Sequence, residues 1–200
     1  MNFEEYYKYY EEASKIHADN IIKYGPMVPF GHPTPHTEQL ERIEFIISNS
    51  TDLILELGSD SGYILDRCHG EVGIDISIMR IKAARYWYPH LNLVQSVAEH
   101  IPFRKVFYTV IIAELLEHVL DPEKILVETH KVLKKEGKVI ITVPDEIHGK
   151  SHMTPGHLRK FSEGEIRNLI IYYFFIDYVE YVFGDYPSWC FSCIRDEVIC

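Results

Sequence analysis

Apolar positions change their spacing near residue 52, and the chain reads differently on either side. Residues 3–24, rich in Tyr and Glu, carry apolar residues at helical intervals and predict an amphipathic helix. The Pro-rich stretch 25–36 reads as a loop, after which Thr37 is placed to cap a helix with Leu40, Ile43, Ile46 and Ile47 on one face. Beyond residue 52, short apolar runs alternate with helical segments. Strands are expected at 53–57, 72–75, 92–95, 106–113 and 138–143, and helices at 61–68, 77–86, 121–134 and 162–172, with two β-like runs to finish. Pro122 suits the first turn of its helix, and Gly137 is expected to close that helix before the next strand. The aromatic stretch from Leu169 to Tyr181 reads as core despite Asp177 and Glu180. Strands alternating with helices argue for right-handed βαβ units and a parallel sheet.

Composition narrows the class. The chain has 200 residues, 46% hydrophobic and 13% aromatic, enough for one well-buried core and for a single domain over 1–200. Within it, 1–50 reads as a helical lid, 51–145 as the ligand-binding core, and 146–200 as a substrate-side loop, helix and last two strands. A net charge of −10 with no dense basic run disfavours nucleic acid, whose affinity depends on Lys and Arg displacing counterions. A small-molecule substrate is the expected partner, and no motif fixes an oligomeric state. The first residues carry acid where a secretory signal would carry base, and no window approaches the roughly 18 apolar residues of a membrane span. A cytoplasmic protein is expected. Of the four cysteines, Cys190 and Cys193 are spaced as half a zinc site; on a strand they fall on opposite faces, and without a second pair reduced thiols fit best.

Chemistry enters at Ile54-Leu55-Glu56-Leu57-Gly58-Ser59-Asp60-Ser61-Gly62-Tyr63, a strand running through a glycine turn into a helix. Gly58 permits a sharp turn and close ligand approach, and Gly62 close helix packing. Asp75 then ends the second strand, about where an acid accepts ribose hydroxyls; alternatively it caps the following helix, a duty open to Ser77. Together these segments favour an adenosine-containing ligand. A dinucleotide would want G-x-G-x-x-G and a pyrophosphate on the helix N-terminus. Here the spacing is G-x-x-x-G, and Asp60 and Glu56 add negative charge that suits an ammonium and a sulfonium. The electrostatics favour S-adenosylmethionine over NAD.

Residues 53–145 resemble the class I S-adenosylmethionine-dependent methyltransferase family, the small-molecule type with an E-x-G-x-G-x-G loop. Ala98-Glu99-His100-Ile101-Pro102-Phe103 is similar to its D-A-E-x-L-P-F, and Ala113-Glu114-Leu115-Leu116-Glu117-His118-Val119-Leu120-Asp121-Pro122 to its S-E-V-L-E-H-V-x-D-P. Val132 to Ile141 is similar to R-V-L-K-P-G-G-x-L-I-I, and His157 to Ser162 to an H-x-R-x-[FY]-[ST] segment. The resemblance implies a Rossmann-like seven-stranded, mostly parallel α/β sheet with a final antiparallel strand, flanked by helices under an N-terminal helical cover. It implies S-adenosylmethionine as cofactor, S-adenosylhomocysteine as product, and a cofactor site of Glu56, Gly58, Ser59, Asp60, Gly62, Asp75, Ile76, Ala98, Glu99 and Ala113.

Three positions depart from the pattern. Asp60 replaces the middle loop glycine and is placed to bind the methionine ammonium itself; Val97 replaces the acid that meets the adenine amino group; Tyr108 replaces the Asp of F-D before the fourth strand. They keep open a non-catalytic binding protein on the same fold. Methyl transfer asks mainly for alignment and exclusion of water. His118 is the candidate base, or equally a packed histidine. His152, His157 and Arg159 are substrate candidates, Arg159 as a clamp for an anion or as a partner of a surface acid. His148, His152 and His157 are unevenly spaced and give no metal signature, so no metal is expected. Of the tyrosines at 6, 7, 9 and 10, at least two are expected to pack.

Overall fold

The structure, a computed structural model, describes residues 3–27, 40–148, 156–184 and 186–195. Seven strands form one sheet: β1 (Ile54–Leu57), β2 (Val72–Asp75), β3 (Leu93–Gln95), β4 (Phe107–Ala113), β5 (Leu133–Pro144), β6 (Phe174–Val182) and β7 (Ser188–Arg195). Their order is β3-β2-β1-β4-β5-β7-β6. The pairs from β3 through β5 are parallel, and β7 runs antiparallel between β5 and β6. The Rossmann-like α/β sheet expected from the sequence is therefore present. Helices α1 (Phe3–Tyr24), α2 (Leu40–Asn49), α3 (Tyr63–Arg67), α4 (Ile78–Trp87), α5 (Pro122–Val132) and α6 (Glu163–Ile171) flank it.

Alternation along the strands sorts the core into two layers, as period-2 geometry requires. Leu55, Leu57, Val110, Ile112, Val139 and Ile141 point one way and pack with Ile125, Leu126, Ile166 and Ile170 of α5 and α6. Ile54, Ile111, Ile140 and Cys190 point the other way, onto Phe45 and Ile46 of α2. Cys190 and Cys193 lie in different layers, and both are buried free thiols. Each fully buried Leu or Ile contributes about 1.5–3 kcal/mol by area. Local signals fix the helix starts. The Ser77 side chain accepts from the Arg80 N–H at the head of α4, Asp121 does the same for Lys124 at α5, and Ser162 forms a capping box with Glu165 at α6.

Several expectations change. Helix α5 stops at Val132, not Lys134, because Leu133 is already extended and pairs with Phe107. Between that pair and Thr109–Lys138 the register shifts, and Glu136 (φ 59°), not Gly137, takes the left-handed conformation there. The aromatic stretch 169–181 is only partly core: Phe174 is buried, whereas Tyr172 at the end of α6 and Phe175 and Tyr178 on the edge strand β6 are exposed. On α2, Ile43, Phe45 and Ile46 are buried and Leu40 is exposed. Thr37 lies outside the described residues. No described helix is long and apolar enough to cross a membrane.

The two-layer core makes a direct test. Ile112→Ala should lower stability by about 2–5 kcal/mol in urea unfolding, whereas Phe175→Ala on the exposed face of β6 should change it by no more than about 0.5 kcal/mol.

Candidate functional site

The strand ends decide where chemistry gathers. Parallel register aligns Leu57 with Ile112 and Asp75 with Gln95, so β1, β2, β3 and β4 finish at one edge of the sheet. Connections leave in opposite directions on the two sides of β1 and β4, which opens a crevice at that edge. The Gly58 and Ser59 N–H groups both donate to the Ile74 carbonyl, at 2.8 and 2.9 Å. Gly58 (φ 71°) and Gly62 (φ 76°) are left-handed, and a Cβ on Gly62 would stand 2.9 Å from Leu91 Cδ1. Between them Asp60 also adopts a left-handed φ of 44°, so it keeps the turn of the glycine it replaces.

Asp60 does more than turn the chain. Its carboxylate lies 3.0 Å from His17 Nε2 of α1 and 3.3 Å from Arg80 Nη1 of α4. Against the desolvation that would raise it, these partners hold the Asp60 carboxyl well below the usual carboxylate range. Arg80 also donates to Ser14 Oγ at 3.1 Å and stacks over the Tyr10 ring at 4.6 Å. Helix α1 is thereby fastened across the loop, and Ala18 and Ile21 pack with Ala83 of α4. The charge that the sequence assigned to a ligand ammonium is already engaged by the protein's own Arg80 and His17. Tyr6 and Tyr10 are buried, as expected for two of the four tyrosines, while Tyr9 is exposed.

Asp75 bridges the loop and the next helix: one oxygen accepts from Asp60 N at 3.0 Å and the other from Ser77 N at 2.8 Å. Each oxygen keeps a second lone pair, so these bonds leave acceptor capacity for a hydroxyl. Ser96 N donates to the Asp75 carbonyl, which brings the turn holding Val97, Ala98 and Glu99 against the end of β2. Ala98 is buried, and Ile76, Glu99 and Ala113 are half-buried around the same edge. Burial pushes the Glu99 carboxyl up.

Glu56 stands apart. It is 2% exposed, and its Oε2 has no hydrogen-bond partner. Burial, then the nearby Asp60 charge, push its carboxyl well above the ordinary value. Ser59 Oγ is likewise buried without a hydrogen bond. A buried carboxyl with an unpartnered oxygen is expensive to keep, and an arriving cation with N–H donors satisfies it.

A second group assembles beside the first. Ligand atoms of Glu117, His118 and His157 lie within 4.8 Å of one another. Glu117 and His118 follow β4. The segment after β5 brings His157 to them, with Leu158 N donating to the Glu117 carbonyl at 2.8 Å. The two imidazoles meet edge to face at 4.5 Å, and the Tyr10 ring touches His118 from α1. Burial first, then His157, lower His118 to about 3, so it is a neutral ring and a poor proton acceptor near pH 7. Both Glu117 oxygens are buried without hydrogen bonds, and burial followed by the Glu114 charge raises its carboxyl well above the ordinary value.

Arg159 donates to the Leu116 and Leu120 carbonyls, so its fork holds the turn after β4. His148 turns back onto Asp145, and His152 lies outside the described residues. Sequence reasoning missed Ser14, His17 and Arg80, which carry no motif: Arg80 of α4 reaches Asp60, and docking of α1 brings His17 to Asp60 and Ser14 to Arg80. It also passed over Glu117, visible as a neighbour of His118 but indistinguishable there from any turn glutamate.

The sheet order, with the glycine turn at the end of β1 and the acid at the end of β2, is a fold this chain shares with solved methyltransferase structures. Residues 55–141 match a family profile described as a methyltransferase domain. A probable S-adenosylmethionine-dependent methyltransferase of Mycobacterium tuberculosis is 24% identical over 133 residues, covering 62% of this chain and 48% of that protein. The chain spans about half the length of the curated relatives it matches. Among solved structures, the N-methyltransferase NodS of Bradyrhizobium japonicum in complex with S-adenosyl-L-homocysteine gives a TM-score of 0.73 at 13% identity, covering 92% of this chain and 100% of that one. The cyclase SpnF gives 0.71 at 13% identity, with 94% of each chain covered. At these identities the structural likeness is one of fold.

The Asp60 pairings generate a pH test. Because its folded carboxyl is held low, the stability it contributes is complete above about pH 4, the unfolded value. That contribution should fade as pH falls towards the folded value. Thermal unfolding of wild type and Asp60→Asn should show a gap that is full near neutrality and narrows through the acid range. A gap indifferent to acid would mean that the His17 and Arg80 contacts add no stability.

Proposed function

We propose that this chain transfers a methyl group from S-adenosylmethionine to a small or medium organic acceptor. The observation that carries the reading is the buried Glu56 carboxyl, one oxygen of which has no hydrogen-bond partner, beside the Gly58 turn with Asp75 one strand away. Glu56 offers its open oxygen to the ammonium of the cofactor, and Asp75 its remaining lone pairs to the ribose. The Ala98–Glu99 turn borders the adenine, with backbone groups taking the place of the acid absent at Val97. Asp60 acts through the protein: paired with His17 and Arg80, it fastens α1 over the loop and excludes water.

When bound, the cofactor supplies an electrophilic methyl group on a sulfonium. The residues need only align the acceptor with it and keep the crevice dry. Tyr10, His118 and His157 form the acceptor side. His118 there orients or ligates, since its lowered value makes it a weak base. Val97 and the engaged Asp60 favour a second reading, a protein that keeps the pocket without catalysis.

Calorimetric titration with S-adenosylmethionine and S-adenosylhomocysteine, with NAD as control, tests the cofactor. Micromolar binding of the first two is expected, at least tenfold weaker in Asp75→Ala and in Glu56→Gln, a loss of about 1.4 kcal/mol or more. No binding of either would overturn the reading; binding without turnover across acceptor screens would select the second.

Glu56 also predicts a trade-off. A carboxyl raised in the fold stabilises below its unfolded value and loses that contribution as pH rises through the folded one. Glu56→Gln should therefore melt higher than ligand-free wild type at pH 7, with the difference vanishing below about pH 4.

A further inference from the structure

We propose that Glu117, His118 and His157 form a binding site for one divalent first-row transition cation. Their ligand atoms already lie within 4.8 Å of one another, close enough to converge on a single ion. Glu117 is 1% exposed, and neither of its carboxylate oxygens has a hydrogen-bond partner. A carboxylate kept there without a donor is unfavourable by itself, and a cation resolves it.

The two rings have polar neighbours behind them. His118 Nδ1 meets the Gly156 carbonyl at 3.1 Å, and His157 Nδ1 lies 3.0 Å from Glu146 Oε1. The carbonyl can only accept, so the His118 contact puts its proton on Nδ1 and the lone pair on Nε2, the outer-shell pattern of a ligating ring; the Glu146 carboxylate stands close to the second ring. Glu146 is itself buried. Local charge agrees: Glu114 and Glu146 add negative potential at Glu117, and Arg42 offsets it.

The donor set selects the ion class. Two imidazoles and one carboxylate suit zinc, cobalt, manganese or iron in the divalent state and leave positions open, whereas calcium and magnesium prefer all-oxygen shells. The site does not depend on the cofactor reading. Only one consequence rests on it: an open position on the acceptor side would hold an oxygen-bearing acceptor.

The test uses the full chain after treatment with a chelator. Titration with Co²⁺ should give one equivalent of binding, with visible ligand-field bands that Zn²⁺ displaces and Mg²⁺ does not. Glu117→Gln, which keeps size and removes charge, and His157→Gln should each weaken binding at least tenfold. Circular dichroism should be unchanged, and S-adenosylmethionine affinity should match wild type. Absence of stoichiometric binding in wild type, or equal binding in both folded variants, overturns the metal site. Loss of cofactor binding alone, with the cobalt spectrum intact, would sink the methyl-transfer reading and leave this one standing.

Discussion

Negative charge without water is the constraint around which this crevice is organised. Glu56, Asp60, Asp75 and Glu117 all approach the carboxyl edge of the sheet, and three of them are almost wholly buried. Each finds a different settlement. Asp60 has an arginine and a histidine, and Asp75 has two backbone N–H groups. Glu56 and Glu117 each keep unpartnered oxygens. Buried polar groups are almost always satisfied, so leaving these carboxyls without a donor is costly.

Helix α1 belongs to the same arrangement. Ser14 and His17 reach the loop through Arg80 and Asp60, while Tyr10 lies between Arg80 and His118. A cover held only by apolar packing would leave the loop's charge exposed to water. Here the fastening and the neutralisation are one interaction, which is why an aspartate with a left-handed backbone is tolerated where glycine would be the easier residue.

Much of the fold was legible because each strand and helix writes its own period. The βαβ alternation gave the parallel sheet, and Gly58 and Asp75 lie, as their spacing suggests, at one edge of it. Boundaries failed where pairing overrode local propensity, as at Leu133, which helix periodicity would keep helical and β4 makes a strand. Phe175 and Tyr178 read as core because sequence does not say which strand lies at the edge. The site was legible one strand at a time and opaque across the fold. Nothing in the spacing of His17, Arg80 and Asp60, or of Glu117 and His157, announces that they meet, because packing of distant segments brings them together.

The placement of β7 carries a consequence for how the molecule is made. Among the described residues the last strand, β7, lies between β5 and β6, so the sheet cannot close in order of synthesis. Until residues 188–195 arrive, the twelve-residue β5 has an open flank of backbone donors and acceptors, and β6 has nowhere to dock. Long-range pairings of this kind are slow to form. Pairing of residues 188–195 is therefore what closes the open flank of β5 and gives β6 its neighbour.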